Sequence, residues 1–266
     1  MIPPILNYDS AQVAETLVDF TKRTLAQHGI SKLVVGLSTG LDSTTAGYIA
    51  TRAIGGDNLI AVHLPHHDYE ARKNEFNRIC ELLQVPQHNR KFVDIMPMLE
   101  AYSEKGNVLQ MTNLLTRVQR SVLFDYSHKE RAPLYGTLNR TEYELGEFPI
   151  FGLDASFQPL RGLFKTQVRE LAKCLGAPED IQQRIPEIDT WQGKDFEIMR
   201  RELVRMGIPI VDQILAYAIE KKLSSTEIQN EGFKKEDVDF VLKVMQINAF
   251  KKELPFVPDL SKILSH

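Results

Sequence analysis

Lys32-Leu33-Val34-Val35-Gly36-Leu37, running directly into Ser38-Thr39-Gly40-Leu41-Asp42-Ser43, is the stretch that decides the fold. The first half is almost wholly apolar without alternation, which predicts a short buried strand. The second half is small or polar and predicts a turn into a helix from Ser43 to about Ala53, closed by Gly55 and Gly56. A strand that feeds a helix N-terminus through so short a turn opens a βαβ unit.

The flanking patterns extend that unit. Upstream, Val13, Leu17, Val18 and Leu25 recur at helical spacing, with Asp9 or Ser10 as the cap and Gly29 as the stop. Downstream, strands at 59–64, 91–95 and 132–137 alternate with a helix through Phe76, Ile79, Leu82 and Leu83 and a long helix over 109–126. Alternation over about 140 residues predicts an α/β fold, a parallel sheet with helices on both faces. From Lys165 onward the patterns are helical: 165–175, 195–206, 210–222, 224–230 and 235–250. The expected organisation is one domain over 1–266, its α/β part about 1–165 and its helical part about 166–266, with no internal repeat.

Hydrophobic residues make up 43% and charged residues 25%, which suits a soluble globular protein with a core. A formal charge of −3, with Lys and Arg scattered, argues against a nucleic-acid partner. Cys80 and Cys174 lie apart in helical patterns and read as buried small hydrophobes, not as a disulfide or zinc framework. Neither a leader pattern nor a membrane-length apolar run is present, so no membrane partner and a cytoplasmic location are expected.

Ligands of open α/β sheets bind beyond the carboxyl ends of the strands, so Gly36, Leu37, Ser38, Thr39, Gly40, Leu41, Asp42 and Ser43 occupy a candidate site. Small residues let backbone amides approach phosphate, and Ser38 and Ser43 add hydroxyls. Asp42 would repel bare phosphate, so a role in holding Mg²⁺ suits it. The loop lacks the Gly-Lys-Ser/Thr ending of a Walker A motif. On spacing alone, a plain turn with Asp42 or Ser43 as a helix cap stays open.

Ser38-Thr39-Gly40-Leu41-Asp42-Ser43 resembles the SGGxDS loop of the N-type ATP pyrophosphatases, and three further stretches resemble the ammonia-dependent NAD synthetases in that group. Asn113-Leu114-Leu115-Thr116-Arg117-Val118-Gln119-Arg120 is similar to their NxxARxRM helix, which lines a dinucleotide site formed across a dimer interface. Gly136-Thr137-Leu138-Asn139-Arg140-Thr141-Glu142 is similar to GTSNKSE, and Pro159 to Thr166 to a PL-x-x-L-x-K segment. The resemblance covers roughly residues 10–258. It implies an adenine-nucleotide hydrolase-like fold and the amidation of deamido-NAD by free ammonia through an acyl adenylate, with ATP as co-substrate. It assigns Asp42 and Glu142 to Mg²⁺ and Thr137 and Lys165 to ATP, so that Asp42, Glu142 and Lys165 form the catalytic set. Asn113, Arg117, Asp154 and Lys251 are implied on the dinucleotide side, in a homodimer whose candidate interface is the apolar stripe of the long helix.

The chain departs from the family pattern at several places. Thr39 replaces a Gly, Gln119 replaces the second Arg of the helix motif, and Arg120 is displaced to another side of that helix. The 147–154 loop is about one residue shorter, with Asp154 as the candidate acid. Pro186-Glu187-Ile188-Asp189-Thr190 stands where PSA-x-L is usual, followed by an echo of GQ-x-DE in Gln192-Gly193-Lys194-Asp195. His63, His66 and His67 form a loop cluster without regular zinc spacing. These departures leave two alternatives to NAD formation: amidation of a different carboxylate, or nucleotide binding without catalysis.

Overall fold

The structure, a computed structural model, describes residues 2–66, 68–102, 108–184 and 201–260. Helix α1 (Ser10–Gln27) starts where Asp9 accepts hydrogen bonds from the amides of Ala11 and Gln12, both at 3.0 Å. Strand β1 (Leu33–Gly36) follows, then α2 (Leu41–Ile54), β2 (Leu59–His63), α3 (Tyr69–Leu82), β3 (Arg90–Phe92), α4 (Met96–Tyr102), α5 (Val108–Glu130), β4 (Leu134–Tyr135), α6 (Arg140–Leu145), α7 (Lys165–Cys174) and α8 (Glu179–Gln182). Helices Ile208–Ile219, Ser225–Asn230 and Lys235–Ile247 close the described chain.

The strands form a parallel sheet in the order β3-β2-β1-β4. Gly36 lies opposite Val62, and Val35 opposite Tyr135. After β1 the chain steps outward to β2 and β3 on one side, then returns to place β4 on the other. That reversal leaves a crevice above the carboxyl ends of β1 and β4, from which the chain leads into α2 and α6. The fold class expected from the sequence is therefore borne out.

Helices α1, α2 and α7 cover one face, with Val18, Leu25, Ile49 and Leu171 in a shared core with Val35. On the other face, Leu115, Val118 and Leu123 of α5 pack against Val34, Ile60 and Val62. The approach is close: a Cβ added to Gly36 would stand 2.8 Å from Leu123 Cδ1. The apolar stripe of α5 thus belongs to the core, as sheet-covering helices require, and does not form the interface expected of it. The outward side of α5 still exposes Leu109 and Phe124. A second core gathers Leu6, Leu145, Phe164, Ile214, Leu215, Val238 and Val241 around the C-terminal helices.

Several boundaries differ from the expectation. Strand β4 pairs over two residues; Pro133 before it lacks an amide to donate, and after it the Gly136 amide donates to the Phe157 carbonyl at 2.8 Å. Helix α2 begins at Leu41, so Asp42 and Ser43 lie inside its first turn and do not cap it; Gly40 is the capping residue. Cys80 is buried, but Cys174, at the end of α7, is exposed. Of the helix expected over 195–206, the part before 201 lies outside the described residues, as do His67, Glu187 and the 192–195 stretch.

Candidate active site

The turn after β1 brings Asp42 into the first turn of α2, where an acidic side chain also complements the helix dipole. The turn after β4 brings Asn139 and Glu142 to the start of α6 across the crevice. Asn139 caps α6 by accepting the Glu142 amide at 3.0 Å, and Glu142 returns a carboxylate oxygen to the Asn139 amide at 3.3 Å. Asn139 also donates Nδ2 to Asp42 Oδ1 at 3.1 Å. Lys165, at the start of α7, donates Nζ to Asp42 Oδ2 and lies 3.8 Å from Glu142 Oε1. Three segments far apart in sequence therefore converge on one point.

Lys165 is only 6% exposed, whereas an isolated helix-start lysine reads as a surface residue. Burial opposes its charge, but Asp42 and Glu142 outweigh that and hold the ammonium above the ordinary lysine range. Burial and the neighbouring Asp42 push the Glu142 carboxyl well above the usual carboxylate range. At this point two acids face one ammonium, while Arg72, Arg120 and Arg184 line the rest of the cleft. Asp42 and Glu142 are oxygen donors of the kind a hard divalent ion takes, and here the Lys165 ammonium stands between them.

A buried carboxylate sets the position of Lys165. Asp212, on helix Ile208–Ile219, is fully buried; its Oδ2 accepts the Thr166 amide at 2.7 Å and its Oδ1 accepts the Thr141 hydroxyl at 2.6 Å. The same hydroxyl oxygen accepts the Lys165 amide at 2.8 Å. Phe164 offers no capping side chain, so Asp212 and Thr141 satisfy the free amides of α7 from outside it. Burial pushes the Asp212 carboxyl up, and the bonds from Thr141 and Thr166 oppose that shift.

In the loop itself, Ser38 Oγ lies 3.0 Å from Ser43 Oγ, and the Gly40 amide reaches Ser38 Oγ at 3.4 Å. Thr39 adopts φ 70°, the left-handed conformation that its family counterpart, Gly, takes without strain. For a β-branched residue this costs on the order of 1–3 kcal/mol and persists only when its surroundings enforce it. The cleft above the loop holds about 510 Å³ and is walled by Leu37, Val62, Leu64, Leu123 and Leu153. That is an apolar slot continuous with a phosphate-facing loop. A smaller adjoining lobe brings Thr137, Glu142 and Glu147 together with Gln119 and Leu153.

The profile of the family described as NAD synthase matches residues 13–255. The chain belongs to the NAD synthase family. It is 34% identical to the NH3-dependent NAD+ synthetase of Wolinella succinogenes, over 90% of this chain and 92% of that protein. It is 30% identical to the enzyme of the same name from Fusobacterium nucleatum, over 97% and 99%. Its fold is similar to that of the NH3-dependent NAD synthetase from Campylobacter jejuni, with a TM-score of 0.77 and 25% identity over 95% of this chain and 100% of that one.

Within this member of the NAD synthase family, the residues expected on the dinucleotide side do not converge as the ATP-side residues do. Arg117 is exposed and donates Nε to the Ile150 carbonyl at 3.2 Å. Asn113 is half-buried on the same helix, and Asp154 is exposed. Arg120, by contrast, lines the main cleft at 9% exposure and donates Nε to Gly152 at 3.0 Å. Burial lowers its pKa to about 10, partly offset by Asp154. Three residues along a helix turn the side chain by about 300°, or about 60° the other way, and here that offset separates the outward Arg117 from the cleft-lining Arg120. Lys251 donates Nζ to the carbonyls of Gly146 and Phe148 at 2.7 and 3.1 Å, tying down the loop that carries Glu147.

The histidine cluster dissolves into separate roles. His63 is buried in a cluster with Phe76 and Phe92, its ring 5.4 Å from each, with Nδ1 2.6 Å from the Leu37 carbonyl. His66 lines the cleft rim. Among the described residues, no group of three or more His, Cys, Asp or Glu is placed to hold a metal. Asn139, Asp212 and Arg184 carry functional geometry that the sequence did not single out. The Asn at the helix start and the buried-helix Asp were visible as residues, but neither spacing nor periodicity links them to Asp42 or Lys165.

Proposed function

We propose that this protein makes NAD from deamido-NAD, ammonia and ATP, releasing AMP and pyrophosphate. The carrying observation is the convergence of Asp42, Glu142 and Lys165 at the sheet's switch point in a chain of the NAD synthase family. The substrate carboxylate attacks the α-phosphorus of ATP, forming an acyl–phosphate bond as the bond to pyrophosphate breaks. Ammonia then adds to the activated carbonyl, loses a proton, and AMP leaves.

The protein's part is positional and electrostatic. The loop amides and the Ser38 and Ser43 hydroxyls bind the phosphates, Lys165 offsets charge that grows on the departing pyrophosphate, and the apolar slot excludes water from the adenylate. Mg²⁺ held by Asp42 and Glu142 would neutralise the triphosphate. Thr137 lines both lobes, which supports a contact with ATP.

On the dinucleotide side, Arg117, Asn113 and the exposed Phe124 share the outward side of α5, which suits a site completed by a second copy. The protein is therefore read as a homodimer. No helix among the described residues is long and apolar enough to cross a membrane, and a cytosolic setting with free ammonia suits this chemistry.

The test is NAD formation by purified protein from deamido-NAD, ATP, Mg²⁺ and ammonium. No product above the enzyme-free blank would overturn the reading. Gln119 and Glu147 in the smaller lobe favour one second reading, amidation of a different carboxylate. Pyrophosphate release driven by another acid, with deamido-NAD inert, would decide for it.

A further inference from the structure

We propose that Arg184 is a positioning residue that clamps the Thr39 carbonyl and so holds the phosphate loop in its anion-accepting form. The proposal rests on the nucleotide reading of the site. Arg184, just after α8, donates Nη1 to the Thr39 carbonyl and Nη2 to Glu75 Oε1, with Asp180 Oδ2 at 3.3 Å. It also lines the nucleotide cleft.

The clamp is itself braced. Glu75 on α3 accepts Arg78 Nη2 at 2.8 Å and Nε at 2.9 Å, and Arg78 reaches Asp180 at 2.6 Å. Bonds from Arg78 and Arg184 outweigh burial and hold the Glu75 carboxyl below its ordinary range. A planar guanidinium can serve a carbonyl and a carboxylate at once in a fixed geometry. Arg184 therefore transmits the fixed positions of α3 and α8 to the loop.

What it fixes is the peptide between Thr39 and Gly40. In a trans peptide the C=O and N–H point in opposite directions. Anchoring the Thr39 oxygen on Arg184 turns the Gly40 amide the other way, where among the described residues it meets the 3.4 Å contact to Ser38 Oγ. That contact is long enough for a phosphate oxygen to replace. The opposite orientation would aim a carbonyl oxygen at the phosphate. Thr39 is 2% exposed and left-handed at φ 70°, so the backbone conformation that the loop requires is one this side chain resists. Arg184 supplies the external hold that a glycine there would not require.

The experiment is a double-mutant cycle of Arg184→Ala and Thr39→Gly in the full chain, read by Mg-ATP affinity, kcat and melting temperature. Arg184→Ala should weaken ATP binding about tenfold, the size of one charged hydrogen bond, with kcat at saturating ATP within about threefold. With Gly at 39 the same removal should cost less than about threefold in affinity, and the fall in melting temperature should shrink in parallel. Arg184→Lys should recover part of the affinity.

Equal losses in both backgrounds would overturn the clamp, as would a fall in kcat at saturating ATP with affinity unchanged. The melting cycle separates this idea from the nucleotide reading. If the unmodified protein fails to bind ATP while the melting effects stay non-additive, the nucleotide reading falls and the clamp stands.

Discussion

The proposed ATP side and the proposed dinucleotide side of the cleft are built by different rules. On the ATP side, Asp42, Glu142 and Lys165 each sit within the first turn of a helix that follows a turn at the crevice. Sheet topology alone brings two of those helix starts together, and Asp212 and Thr141 fix the third. On the other side, Arg117 and Asn113 lie one turn apart on the flank of α5 and Asp154 on a loop, with Arg117 and Asp154 exposed. The contrast teaches that helix starts above a parallel sheet are positioned by one chain. A helix flank gains a second wall only from something packed against it.

Substitutions should separate the two sides. The largest effect is expected from Asp42→Ala, which removes a proposed metal ligand and leaves Lys165 facing Glu142 alone. NAD formation should fall at least about a thousandfold in kcat/KM, and activity within tenfold of the unmodified protein would break the distinction. Lys165→Met should lower the rate of pyrophosphate release by about a hundredfold to a thousandfold, measured in a single turnover, with deamido-NAD affinity retained.

Next comes Asp212→Asn, which touches no substrate. It places an amide group against donors that need acceptors, so stability should fall by about 1–3 kcal/mol in denaturant unfolding. An unchanged midpoint would show that α7 does not depend on it. Arg117→Ala should raise the KM for deamido-NAD by about tenfold while the KM for ATP stays within about twofold. Equal shifts in both would merge the two sides. The smallest effect is expected from Lys251→Met, which frees the Gly146 and Phe148 carbonyls. About 0.5–1.5 kcal/mol of stability should be lost, and kcat should be little changed.

How far the site was legible follows the same division. Asp42 was readable from its place in the turn after a strand, whereas Glu142 was readable through the resemblance of residues 136–142 to GTSNKSE, with strand ends sharing an edge in a parallel sheet as its physical support. The burial of Lys165 was not readable: its helix has an ordinary amphipathic pattern, and only Asp42 and Glu142 turn its ammonium inward. The stripe of Leu115, Val118 and Leu123 was visible as apolar, but apolar periodicity does not say whether the sheet or a second chain covers it. Thr39 was visible as a replacement for a Gly, but its φ of 70° was not: the turn's geometry is set by β1 and α2, not by the residue between them.

The sequence by itself determined the alternation of strands and helices, and with it a parallel sheet whose first loop faces a ligand. Hydrophobic periodicity and turn chemistry are local, so a single strand of text carries them. Only the tertiary structure decided that Asn139 orients Asp42, that Asp212 supports the start of α7, and that Arg184 grips the Thr39 carbonyl. Those contacts join residues 46 to 145 positions apart. Distance along the chain says nothing about such meetings until burial and strand order bring the groups within hydrogen-bonding reach.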